Sequence, residues 1–350
     1  MSPKRVLICS SVVPFAFGGS ELLVRELSRA IKSEGYEVDT ISIPYFWDPP
    51  ERIFESVEIW KKMRLDESVF GRIDLVIATK FPTYAVVHPR KVAWVFHQHR
   101  AAYELEGTIY DDFARYDKAN EYRERIREID HKCLSECMEV FTLSKRVSER
   151  MKKYCGIEGE PLYHPPPYDG SYRKGRFTKN VLLVSRLEPL KRVDLAINAM
   201  KHVKTRGAIL RIVGSGILDK PLRELVEISG LEGRVIFEGF VSEERLLELY
   251  ANCGCVLYVP FDEDYGYAQI EAFKSGKPVV VTDDSGGVLE FVSEGESGRV
   301  VEARPEAVAE AIDEILSDKR KAKRMGENGC ESVSGLSWRS VIEELVKPFM

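Results

Sequence analysis

Lys4-Arg5-Val6-Leu7-Ile8-Cys9-Ser10-Ser11-Val12-Val13 admits two readings, and the choice between them decides the fold. Two cations ahead of an apolar run mimic a secretory signal. A signal, however, ends at a small-residue cleavage site. Here Gly18-Gly19-Ser20-Glu21 and an amphipathic helix follow directly. The stretch therefore reads as the first buried strand of an α/β domain. Ser20 is the expected N-cap of the helix, which buries Leu23, Leu27, Ala30 and Ile31 and stops at Gly35. Glu37–Ile43 is the next strand, and Leu75–Ala78, Val92–Phe96 and Val140–Leu143 continue the sheet. A charge-rich helix is expected from about Tyr116 to Cys137.

His164-Pro165-Pro166-Pro167-Tyr168-Asp169-Gly170 breaks any regular element and reads as a linker. Beyond it the alternation restarts, with strands near Val181–Ser185, Ala208–Val213, Val235–Glu238, Cys255–Val259 and Val279–Thr282. The expectation is α/β: two Rossmann-like doubly wound domains, residues 1–168 and 169–335, facing across a cleft. Residues 336–350 contain a helix, Trp338–Val346, expected to pack back on the first domain. The length of 350 residues suits two domains, and 44% hydrophobic with 31% charged residues suits packed cores. A net charge of -5 gives no reason to expect nucleic acid. Seven cysteines without disulfide or zinc spacing read as reduced thiols, which points to the cytoplasm. No apolar run is long enough to span a bilayer.

The residues that carry chemistry lie at expected strand ends. Arg186 and Lys191 follow a strand in Ser185-Arg-Leu-Glu-Pro-Leu-Lys-Arg192, where two cations can neutralise a diphosphate and stabilise it as a leaving group. Arg192 can substitute for either. Glu263 and Glu271 bracket Glu-Asp-Tyr-Gly-Tyr-Ala-Gln-Ile-Glu, which turns at Gly266 into a short helix. One carboxylate can hold sugar hydroxyls and the other a ribose diol, each accepting two hydrogen bonds. Asp262-Glu263-Asp264 offers a competing divalent-metal reading. Gly18-Gly19 is either an anion-binding turn or a plain tight turn. Gly214-Ser215-Gly216 can admit a flat base, and Gly286-Gly287 with Glu290 makes a second glycine turn at a helix start. No dinucleotide fingerprint is complete, which argues against a nicotinamide dehydrogenase. His97-Gln98-His99 follows a strand; His97 is placed to bond sugar or acceptor hydroxyls, with a structural role as the alternative. Ile53, Phe54, Val57 and Trp60, beside Lys61, Lys62 and Arg64, form a helical stripe that either packs inside or touches a membrane.

Together these strings resemble the retaining glycosyltransferases of the two-domain GT-B fold, known as family 4 or the glycosyl transferases group 1. The resemblance is strongest from Val181 to Val301, including Phe-Glu-Gly-Phe-Val-Ser, Glu-Ala-Phe-Lys-Ser-Gly-Lys-Pro-Val-Val and Ser-Gly-Gly-Val-Leu-Glu-Phe-Val. It implies that Arg186 and Lys191 bind the donor diphosphate, Glu263 the transferred sugar and Glu271 the ribose. It places backbone amides of Gly266, Tyr267 and Ala268 at sugar and phosphate, Gly18 and Gly19 near the phosphates, and His97 near the reacting carbon. Phe240, with Gly239 and Val241, and Gly214 with Gly216 would border the base. The implied chemistry is metal-independent and keeps the anomeric configuration. Tyr265 and Tyr267 stand where the family usually has phenylalanine and a smaller side chain.

The expected activity is transfer of a hexose, mannose favoured, from a nucleotide-diphosphate sugar, GDP-mannose favoured, to a saccharide or lipid-linked saccharide. Peripheral contact with the inner face of a membrane goes with a lipid-linked acceptor. The alternatives are a sugar-nucleotide epimerase of the same fold and a non-catalytic nucleotide-sugar-binding protein.

Overall fold

The computed structural model describes residues 4–16, 18–69 and 71–349. The chain divides into two compact units, Met1–Pro167 with Leu336–Met350, and Tyr168–Gly335. Each is an α/β unit built on a six-stranded, wholly parallel sheet.

In the first unit the spatial order is Glu37–Pro44, Arg5–Val12, Leu75–Ala78, Lys91–Val95, Glu139–Thr142, Glu160–Pro161. Leu75–Ala78 and Lys91–Val95 are buried at every position, as strands covered on both faces must be. Glu37–Pro44 lies at the edge and no residue of it is fully buried. The strand Glu160–Pro161 has two residues, too few for any pattern to announce it.

Ser20 is not the N-cap. The helix is Gly19–Ser33, and the capping carboxylate is Glu21, whose Oε2 accepts the Gly18 N–H at 3.0 Å. Ser20 lies inside the first turn and donates to Glu21 Oε1 at 2.8 Å. An acidic side chain three positions into a helix satisfies an orphan N–H and suits the dipole, so it displaces the cap by two residues.

The stripe Ile53, Phe54, Val57 and Trp60 belongs to the helix Glu51–Lys62 and is buried, Ile53 and Trp60 completely. It packs in the core of its own unit with Phe81, Tyr84 and Ile126, so these side chains are not available to a membrane. Among the described residues no helix is long and apolar enough to cross one.

The terminal helix Trp338–Val346 belongs to this unit and buries Val341, Ile342, Leu345 and Val346, worth about 1.5–3 kcal/mol each. Trp338 stacks on His164, with centroids 5.7 Å apart and planes at 25°. His164 in turn meets Trp94 edge-on at 5.6 Å. Burial pushes the His164 pKa down to about 4, so it is a neutral, structural imidazole.

In the second unit the order is Val235–Gly239, Ile209–Val213, Asn180–Val184, Cys255–Leu257, Val279–Thr282, Gly298–Val301. Counted along the unit this is 3-2-1-4-5-6, the doubly wound order that binds nucleotides where the strand sequence reverses. The reversal lies between Asn180–Val184 and Cys255–Leu257, which are hydrogen-bonded neighbours. Two helices without sequence landmarks, Pro305–Ser317 and Lys319–Ser332, complete the unit. All seven cysteines are free.

Candidate active site

The two strands at the reversal carry the second unit's charged residues out at their carboxyl ends. Asn180–Val184 runs into Arg186 and a single 3-10 turn, Pro189–Lys191. Cys255–Leu257 runs through Tyr258 to Glu263. The Phe261 N–H donates to the Leu190 carbonyl at 2.8 Å, which laces the two exits together. Lys191 Nζ consequently donates to Glu263 Oε2, a pair 72 residues apart in sequence and only 15% and 18% exposed.

Tyr258 is the hub, and sequence reasoning missed it. Its ring is buried, and its hydroxyl bonds Glu263. Burial first, then the charges of Glu263 and Glu271, hold the phenol protonated, while Arg186 pulls the other way. The charges of Glu263, Glu271 and Arg186 thus all act on this one side chain, and Lys191 is tied to it through Glu263. Arg186 is half exposed and donates to Glu188 Oε1 at 2.8 Å.

Arg192 cannot substitute for its neighbours. It has φ +47, which turns it away from Lys191. Its guanidinium grips Asp284 through two bonds of 2.7 and 2.6 Å, the carbonyls of Val259 and Pro260, and Thr282 Oγ1, each at 2.8 Å. A planar fork with all three nitrogens engaged is a latch between strand exits. That latch holds the Glu263 loop in place.

The glycines serve the same loops. Gly214 has φ +128, and a Cβ there would meet the Ser185 carbonyl oxygen at 1.9 Å. At Gly216 a Cβ would meet the Leu187 carbonyl oxygen at 2.4 Å. The Leu187 N–H donates to the Ser215 carbonyl at 3.0 Å. This Gly-x-Gly is thus explained by close backbone contact with the Arg186 loop, a reason independent of any base. Gly286, φ +67, lies beside Glu263 as an isolated parallel bridge, and a Cβ would meet the Glu263 carbonyl at 2.6 Å. The Gly287 N–H then donates to that carbonyl at 2.7 Å.

Gly266 makes the turn into the helix Ala268–Lys274, with Tyr267 at its N-cap position and Ala268 buried. Gln269 Nε2 donates back to the carbonyls of Tyr265 and Gly266 at 2.8 and 3.0 Å and locks this turn. Glu271, one turn on, is 6% exposed and is held by two phenols. Tyr250 donates to Oε2 at 2.5 Å and Tyr172 to Oε1 at 3.1 Å. Burial raises the Glu271 pKa, and the two phenols oppose that shift. Phe240, after Val235–Gly239, is 85% exposed. Asp262 is buried, with φ +44, and its N–H bonds the Asp284 carbonyl at 2.8 Å. Among the described residues no group of three His, Cys, Asp or Glu side chains converges as a metal centre would.

The first unit carries Gly18, Gly19 and His97. The anion at the Gly18–Gly19 helix start is the protein's own Glu21, which also pairs with buried Lys80 at 3.1 Å. His97 Nδ1 lies 3.0 Å from the Gln98 carbonyl. A carbonyl only accepts, so Nδ1 is the donor in this bond. His99 does not join it at the strand end. Its ring is caged by Tyr45, Phe81 and Phe113, and burial drives its pKa down to about 3, with His97 adding to the effect.

Gln98 leads inward to Asp130, which is completely buried and accepts Tyr84 and Tyr103 hydroxyls at 2.6 Å each. Burial raises the Asp130 pKa from 3.8 to about 7, with the hydroxyls and Gln98 opposing. Between those values the folded state holds a proton that the unfolded chain has lost, so Asp130 costs stability as pH rises through this window. Asp130→Asn removes that cost. Its stability relative to wild type rises by about 1.4 kcal/mol per pH unit across the window. Urea unfolding of both proteins at pH 5 and pH 8 measures this, because the comparison cancels His99, His164 and every other shared group. A pH-independent difference contradicts the assignment.

Residues 172–332 match the family Glycosyl transferases group 1. The match covers just under half of the chain, and Arg186, Lys191, Glu263 and Glu271 lie inside it. An uncharacterized glycosyltransferase of Methanocaldococcus jannaschii is 25% identical across 99% of this chain and 97% of its own length. A GDP-mannose-dependent alpha-(1-6)-phosphatidylinositol monomannoside mannosyltransferase of Mycobacterium tuberculosis is 34% identical over 179 residues. That alignment spans 48% of this chain and 46% of the mycobacterial protein. Among solved structures, a sucrose-phosphate synthase from Thermosynechococcus elongatus superposes with a TM-score of 0.77 over 98% of both chains, at 20% identity. The fold is that of the GT-B glycosyltransferases.

Proposed function

We propose that the protein is a retaining glycosyltransferase that moves a hexose, mannose first, from a nucleotide-diphosphate sugar to a saccharide or lipid-linked saccharide. One observation carries the reading: Lys191 and Glu263 are joined at the strand reversal, Lys191 on the same strand exit that carries Arg186. A site with two cations and an adjacent carboxylate suits a sugar diphosphate. Lys191 and Arg186 neutralise the departing diphosphate as its charge grows, which is where fixed charge accelerates a reaction. Glu263 takes hydroxyls of the transferred sugar, and its bonds to Lys191 and Tyr258 fix its orientation beforehand. Glu271 takes the ribose. His97 is assigned to the acceptor side. Mannose, with GDP-mannose as donor, is favoured because the partial mycobacterial relative is named for it. Positive charge from Lys191 and Arg186 makes a divalent ion unnecessary in this scheme, and the acceptor attacks from the face that the diphosphate leaves.

The test is incubation with GDP-mannose, UDP-glucose and other nucleotide sugars in excess chelator, with and without simple mannosides. Acceptor-dependent release of the nucleoside diphosphate, with the product anomer unchanged by NMR, is the expected result. An epimerised donor in the absence of acceptor favours the epimerase, and turnover abolished by the chelator contradicts the metal-independent scheme.

A further inference from the structure

Glu271 is buried among its own unit's side chains, yet its two hydrogen bonds are unequal. The Tyr250 bond is 2.5 Å long and comes from a fully buried ring on the helix Glu243–Ala251. The Tyr172 bond is 3.1 Å, longer than the usual 2.7–2.8 Å of an O–H···O pair, and comes from a half-buried residue outside any helix or strand. The two rings meet edge-on, 6.1 Å between centroids at 81°. Tyr172 lies four residues beyond the start of its unit at Tyr168. Asp169, in the same short segment, pairs with Lys274 of the Glu271 helix at 2.9 Å. The helix that carries Glu271 thus anchors the entering chain at two points, and one of those anchors occupies Glu271 Oε1.

We propose that the Tyr172 hydroxyl is a displaceable stand-in for a ribose hydroxyl: it occupies Glu271 Oε1 until a nucleoside diphosphate arrives, while Tyr250 keeps Oε2 fixed throughout. This rests on the assignment of Glu271 to the ribose. A buried carboxylate left without partners costs free energy, so the free protein needs a substitute donor at that oxygen. The substitute must be the more weakly held of the two donors. Tyr172, on the longer bond and outside any helix or strand, is that donor, and Tyr250, on the shorter bond and fully buried on a helix, is not. Tyr172 then competes with ligand, and Tyr250 positions the carboxylate for it.

Opposite effects of two chemically identical substitutions test the idea. GDP and its 2′,3′-dideoxy analogue are titrated calorimetrically into wild type, Tyr172→Phe and Tyr250→Phe. Wild type binds GDP more tightly than the dideoxy compound. Tyr172→Phe, relieved of its competitor, binds GDP roughly three- to tenfold more tightly than wild type, and the dideoxy compound no better, on the scale of one ordinary net hydrogen bond. Tyr250→Phe weakens GDP by a similar factor. Tyr172→Phe binding GDP as wild type does, or more weakly, overturns the stand-in role while leaving the glycosyltransferase reading intact. Equal affinity of wild type for GDP and the dideoxy compound removes Glu271 from the ribose and overturns both. Thermal unfolding without ligand is the independent readout: Tyr172→Phe lowers the midpoint, because Glu271 Oε1 loses a donor, and an unchanged midpoint also counts against the proposal.

Discussion

Glu263→Ala lowers kcat/KM for sugar transfer by about 10²–10³-fold, the usual loss when one preorganised polar contact to the reacting group disappears. Glu263 is 18% exposed, bonded to Lys191 and Tyr258, and its backbone is pinned on both sides, by the Ser285 carbonyl at 3.2 Å and the Gly287 N–H at 2.7 Å. Removing the carboxylate leaves those backbone bonds in place. Unfolding is therefore little affected, while the sugar loses its acceptor and Lys191 loses the partner that aims it. Glu263→Gln keeps the size and one carbonyl acceptor but not the charge, and is expected to recover only part of the loss. Steady-state kinetics beside thermal unfolding separate the cases. A Glu263→Ala protein with wild-type transfer removes Glu263 from the reaction.

The largest structural effect is expected at Gly214. A Cβ there lies 1.9 Å from the Ser185 carbonyl oxygen in a backbone conformation, φ +128, that side chains rarely adopt. Neither atom can yield alone, since the Gly214 N–H bonds the Gly239 carbonyl at 2.8 Å and the Ser185 N–H bonds the Val213 carbonyl at 3.0 Å. Overpacking and backbone strain together cost about 3 kcal/mol or more. A domain of this size then loses on the order of 10 °C in melting midpoint. Because the displaced backbone carries Arg186, diphosphate binding falls with it. Gly230→Ala is the control: its φ is +62, but no atom lies within 4 Å of the added carbon. Its cost is the strain alone, about 1 kcal/mol. Equal destabilisation by the two substitutions contradicts the close-approach account.

How legible the fold was depended on length and burial. Parallel strands covered on both faces read as apolar runs, so Arg5–Val12, Leu75–Ala78 and Val279–Thr282 stood out. Glu160–Pro161 completes its sheet with two residues that carry no pattern. Ser20 misled because residue type alone marks a cap, whereas the carboxylate of Glu21 reaches further back.

The site was legible only in part for a related reason. Arg186, Lys191, Glu263 and Glu271 announced themselves by charge at strand ends, and the 3-2-1-4-5-6 order brings those ends together. Lys191 and Arg192 are indistinguishable in a string, yet φ +47 at Arg192 sends one to Glu263 and the other to Asp284. Tyr172 and Tyr250 are 78 positions apart by number, and nothing local links either to Glu271. Tyr258 had a weak signal that went unused, a hydroxyl one residue past the strand Cys255–Leu257.

Calorimetric titration of GDP into wild type and Lys191→Ala, in excess chelator, bears most directly on the claim that this strand reversal holds a diphosphate. The account predicts saturable binding by wild type and an affinity about 10- to 100-fold weaker in the variant, the scale of one charge-assisted hydrogen bond. Equal affinities in the two proteins, with both folded, would contradict it.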